Sequence, residues 1–70
     1  MSIFSERLQS LRKERGFSVQ DLAEALNVTA RAYQYYERGQ REPNYEKLTL
    51  LADFFQVSTD YLLGRKDDPL

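Results

Sequence analysis

Seventy residues amount to one small domain, whose core is only just large enough to be stable and so must be filled efficiently or completed by a partner. Neither cysteine nor histidine occurs, which excludes disulfide staples and thiolate metal sites, removes the commonest general base, and speaks against an enzyme. The net charge of −1 argues against a polyanionic partner until its distribution is read: residues 1–41 carry seven bases against five acids, and residues 42–70 three bases against six acids.

Apolar residues recur at helical spacing in five blocks, each with its own start and stop signals. The first steps through Phe4, Leu8 and Leu11, with Ser2 as N-cap and Gly16 just past the end. The second begins at Ser18, whose hydroxyl can cap while Asp21 stands in capping-box position, and it buries Leu22, Ala23 and Leu26. Asn27 ends it, because asparagine tolerates the left-handed backbone better than most residues. Thr29 caps the third block, which buries Ala32, Tyr33 and Tyr36 and stops at Gly39. After the turn-rich stretch Gly39 to Pro43, Asn44 caps a fourth helix carrying Leu48, Leu51, Ala52 and Phe55. Ser58 caps a short fifth helix with Tyr61, Leu62 and Leu63, ended by Gly64. Residues 65–70 form a charged tail that is expected to be loose.

The predicted fold is all-α, with one domain over residues 1–64 and the tail at 65–70. No apolar run approaches the ~20 residues of a membrane span, and the first residues lack a signal-peptide core, so a soluble, cytoplasmic chain with no membrane partner is expected. The acids show no metal-loop spacing, and neither a metal nor a cofactor is assigned. Arg12, Lys13 and Arg15 sit where they complement the dipole of the first helix.

The stretch from Val19 to Arg38 holds two short helices separated by a turn at Asn27-Val28, as a helix-turn-helix requires. Ala23 is small where the helices must approach, and Val28 can plug the angle between them. The 3.6-residue period turns Tyr33 and Tyr36 inward and leaves Ala30, Arg31, Gln34, Tyr35 and Arg38 outside.

This run, Val-Gln-Asp-Leu-Ala-Glu-Ala-Leu-Asn-Val-Thr-Ala-Arg-Ala-Tyr-Gln-Tyr-Tyr-Glu-Arg-Gly from Val19 to Gly39, resembles the helix-turn-helix of the phage repressor and Cro family, also called the XRE family. The likeness continues through Arg41-Glu42-Pro43 and through Val57 to Gly64, and covers the chain from about Phe4 to Gly64. It implies a compact five-helix, lambda-repressor-like bundle with the helix-turn-helix formed by helices 2 and 3. It further implies that the helix from Thr29 to Arg38 enters a major groove. By matching positions Ala30, Arg31, Gln34 and Tyr35 face bases, Arg31 foremost because a guanidinium suits guanine O6 and N7. Ser18, Val19 (through its amide), Thr29, Arg38, Gln40 and Arg41 would hold phosphates. Arg12 and Glu37 take the places of an ion pair between helices 1 and 3.

The resemblance implies a sequence-specific, double-stranded DNA-binding transcriptional regulator, a repressor occupying a palindromic operator as a homodimer. Pro43, Val57 and Tyr61 are assigned to the dimer contact. The alternative is a protein-interaction module, such as an antitoxin or an anti-repressor partner, and the acidic second half of the chain favours it. Two positions depart from the family pattern. Val19 replaces a glutamine that touches phosphate, and Gln20 points about 100° away from it. Asn27 replaces a glycine, which the turn can absorb.

Overall fold

A computed structural model describes residues 2–70. Its helices are α1 (Ile3–Glu14), α2 (Val19–Leu26), α3 (Ala30–Glu37), α4 (Tyr45–Phe55) and α5 (Thr59–Leu62), and no strand occurs among the described residues. Each helix starts where a side chain can accept from an otherwise unpaired amide. Ser2, Ser18, Thr29, Asn44 and Ser58 all do so, toward the amides of Ser5, Asp21, Ala32, Lys47 and Tyr61. Ser2 and Ser5 form a reciprocal capping box, as Ser18 and Asp21 do.

The helix ends share one geometry as well. After α2 the left-handed residue is Asn27 (φ 57°), and the amide of Val28 reaches back to the Ala23 carbonyl at 3.0 Å. After α4 it is Gln56 (φ 57°), with Val57 bonded to Ala52 at 3.0 Å. Val57 is thereby drawn into the core, and Val28 is packed against it.

Leu8, Leu22, Leu26, Tyr33, Leu51, Phe55 and Leu62 are fully buried and come from all five helices. α2 lies against α3 and α4, while α1 bridges α3 and α5. Ala32 and Leu48, expected inside, are half-buried, and Leu63 is exposed. Basic side chains tie the helices together at their carbonyl ends, where the backbone has acceptors to spare. Lys47 Nζ donates to the Leu26 carbonyl at 2.7 Å, and Arg15 donates to that of Phe55. Arg15, the C-cap of α1, thus also serves the end of α4.

Beyond α5 the chain turns back. Arg7 donates to the carbonyls of Tyr61 and Lys66 and pairs with Asp67, and the Ser58 amide donates to the Pro69 carbonyl at 2.7 Å. Among the described residues no helix is long and apolar enough to cross a membrane.

Candidate nucleic-acid interface

The local sequence places α3 with one face buried and the other bare. Tyr33, Tyr36 and Glu37 are buried, Arg31 and Arg38 are exposed, and Ala30, Gln34 and Tyr35 are half-buried. The face expected to be outward is therefore the accessible one, although Ala30 leans against the core.

The inner face is locked by a polar network. Arg12 Nε donates to Glu37 Oε2 at 2.6 Å and Arg12 Nη2 to Oε1 at 3.1 Å, the two-pronged geometry that suits a guanidinium and a carboxylate. Arg12 also donates to the Phe17 carbonyl, and the Tyr33 hydroxyl donates to Glu37 Oε2 at 2.5 Å. The hydrogen bond to Glu37 raises the Arg12 guanidinium above its ordinary value, against the opposing effect of burial. Burial raises the Tyr33 hydroxyl well above the usual tyrosine range, so the proton stays on the donor. Glu37, 5% exposed, thus has its charge matched inside the protein and is withdrawn from the outer face of α3. The network fixes the rotation of α3 about its own axis.

The outer face carries a second cluster. Arg31 Nε donates to the Tyr35 hydroxyl at 3.1 Å, one helical turn along. The guanidinium carbon of Arg41, from the loop between α3 and α4, lies 4.8 Å from the centre of the Tyr35 ring. The exposed Arg31 and Arg41 are thus joined through the half-buried Tyr35 into one cationic unit. Arg38 and Gln40 stand at the far end of α3, where the Gln40 amide closes the helix on the Tyr35 carbonyl at 2.9 Å. Ser18 and Thr29 are exposed caps whose hydroxyl oxygens already accept a backbone amide and whose protons remain available to an acceptor. The first amides of α2 and α3 have no partner within their helices, which makes both ends suited to an anion. The Val19 side chain packs against the core, leaving only its amide for that purpose.

The three residues assigned to a dimer contact are not brought together on one free surface. Val57 is 8% exposed and belongs to the core. The Tyr61 ring is covered by the Arg7 guanidinium at 4.2 Å. Pro43 lines a pocket of about 360 Å³ with Ile3, Phe4 and Leu63. The spacing of Tyr33 and Glu37, and of Arg31 and Tyr35, contains the signal for both hydrogen bonds, and sequence reading passed over it. Nothing local announces Arg41, whose place depends on the course of the loop.

A family model described as helix-turn-helix matches residues 8–62. Among curated proteins the chain is similar to YobD, an uncharacterised HTH-type transcriptional regulator of Bacillus subtilis strain 168, with 37% identity over 96% of this chain and 60% of that protein. It spans 53–60% of the length of the first three curated relatives it matches. Among solved structures it resembles a transcriptional regulator from Listeria innocua, with 44% identity, TM-score 0.84, and coverage of 87% of this chain and 57% of that one. It also resembles the P22 c2 repressor solved with a synthetic operator, with 32% identity, TM-score 0.85, and coverage of 94% of this chain and 100% of that one.

Proposed function

The chain belongs to the helix-turn-helix family, and from that premise we propose that it is the sequence-specific, double-stranded DNA-binding domain of a transcriptional repressor. The observation that carries the reading is the pairing of the two clusters on α3. The inner one sets the rotation of the helix, and the outer one presents Arg31, Tyr35 and Arg41 toward solvent. Its likeness to a repressor solved on a synthetic operator supports the same reading. A main role in gripping another protein is not favoured, since the curated relatives are described as transcriptional regulators.

In this reading α3 lies in the major groove. Arg31 makes the main base contact, Tyr35 and Gln34 stand beside it, and Ala30 offers a methyl group to thymine. The exposed hydroxyls of Ser18 and Thr29, the Val19 amide, and the side chains of Arg38, Gln40 and Arg41 bind phosphates and set the register. Residues 1–64 form the binding domain, and the protein acts as a homodimer on a palindromic operator.

The test is selection from a random duplex library, followed by titration of the enriched site at several salt concentrations. A palindromic motif and a steep loss of affinity with salt are expected. Arg38→Ala should weaken all duplexes alike and lower the salt slope by about one. Failure of any motif to enrich, with only weak and uniform binding, overturns the reading.

A further inference from the structure

We propose that Tyr35 is a positioning residue for Arg31: its hydroxyl accepts a hydrogen bond from Nε–H of the guanidinium and so presents the other edge of that group to a base. The inference rests on the DNA-binding reading above and deepens it. A guanidinium has five donors arranged on a rigid plane, and its Nη1/Nη2 edge can give two parallel hydrogen bonds to guanine O6 and N7. In this protein Nε is directed at Tyr35 Oη at 3.1 Å, so the bond to tyrosine and a bidentate bond to guanine use different donors and are compatible.

Both ends of Tyr35 are engaged. Its hydroxyl accepts from Arg31, and its ring lies under the Arg41 guanidinium at 4.8 Å. The ring is half-buried, whereas Arg31 is exposed on the outer face of the helix. An exposed arginine samples many rotamers, and ordering it on binding opposes affinity. A tyrosine one turn along, itself clamped by a loop arginine, does part of that ordering in the free protein. Arg41 then contributes twice, as a phosphate contact and as the lid on the brace.

The experiment is a double-mutant cycle on the duplex selected by the wild-type chain, with every single-base-pair variant of that duplex titrated. Tyr35→Phe keeps the ring and removes only the hydroxyl. Arg31→Ala is expected to lower discrimination at one base pair of each half-site by about 5- to 150-fold. Tyr35→Phe is expected to lower discrimination at that same base pair by about 2- to 10-fold, with the thermal midpoint unchanged. In the Arg31→Ala background the same substitution should change nothing beyond about twofold. The proposal is overturned if the Tyr35→Phe effect falls at a different base pair, persists in full without Arg31, or is absent. If the wild-type chain selects no duplex, the DNA-binding reading fails, and the proposal with it.

Discussion

Tyr33 shows how much one buried polar atom can decide. Its side chain has no exposed surface, and a hydroxyl buried without a partner would cost about 1–3 kcal/mol. Glu37 accepts a hydrogen bond from that hydroxyl and remains paired with Arg12, so three residues on two helices satisfy one another. Tyr33→Phe should destabilise the fold by about 1–2 kcal/mol at neutral pH, because Glu37 keeps its bonds to Arg12. The alkaline limb gives a sharper check. The folded protein holds the Tyr33 proton above the ordinary value, so the unfolded chain releases it first. Between those two values the unfolded state binds fewer protons than the native state, and stability falls as pH rises. The contribution is intact below about pH 10 and declines above it by about 1.4 kcal/mol per pH unit. The stability gap between wild type and Tyr33→Phe should therefore narrow from pH 10 upward in urea titrations, and a constant gap would refute the buried donor. The sequence placed Tyr33 inside but did not reveal its partner. Helical spacing says which residues are neighbours on a helix, and tertiary burial decides which neighbours must bond.

Helix boundaries were the most legible feature of this chain, because capping is local chemistry. The Ser, Thr and Asn caps and the glycine stops need only a short oxygen-bearing side chain or a missing Cβ, and both are visible in sequence. Gln56 is the exception. Glutamine has no preference for the left-handed region, yet Gln56 adopts it (φ 57°), and Val57 one residue later is buried. Two glycines allow backbone strain to be separated from crowding. Gly16 (φ 74°) has open space where a Cβ would go, whereas at Gly64 (φ 81°) the added atom would lie 2.8 Å from Ile3 Cγ2 and 3.2 Å from its Cβ. Gly16→Ala should cost about 1–2 kcal/mol, the strain alone. Gly64→Ala should cost at least about 1 kcal/mol more, since Ile3 must move to relieve the contact. Chemical unfolding of the two variants checks the ranking, and equal losses would mean that Ile3 yields freely. The outer face of α3 was legible for the same reason as the caps, since a helix of known ends and period has a known outside. The inward place of Val57 was not, because it reads as an apolar edge until the turn before it sends it into the core.

Charge has to be read by position at the scale of the whole molecule. Of the bases in the first half of the chain, Arg7, Arg12 and Arg15 are committed to carbonyls or carboxylates of the protein itself. Arg31, Arg38 and Arg41 stand exposed on or just after α3, so a molecule of net charge −1 still presents a cationic end to a polyanion. Size then bears on stoichiometry. The domain measures 29 × 22 × 21 Å, and successive major-groove half-sites on one face of the duplex are about 34–36 Å apart. A domain of that size brings a single α3 to the duplex, so on the palindrome proposed above each half would be read by its own copy. Ile3 and Leu63 are about half exposed beside the pocket at Pro43, and they offer apolar surface that Val57 does not. If two copies touch across the dyad, binding to the selected duplex will be cooperative and will depend on the spacing of its halves. Inserting five base pairs at the centre turns one half-site by about half a helical turn relative to the other, which separates the copies without altering any base contact. Affinity should then fall on the order of 100-fold toward that of an isolated half-site, and inserting ten or eleven base pairs should restore the shared face but not direct contact. An insertion series that leaves affinity flat would mean that the copies bind independently, and the homodimer would have to be abandoned, with the proposed base readout by α3 unaffected.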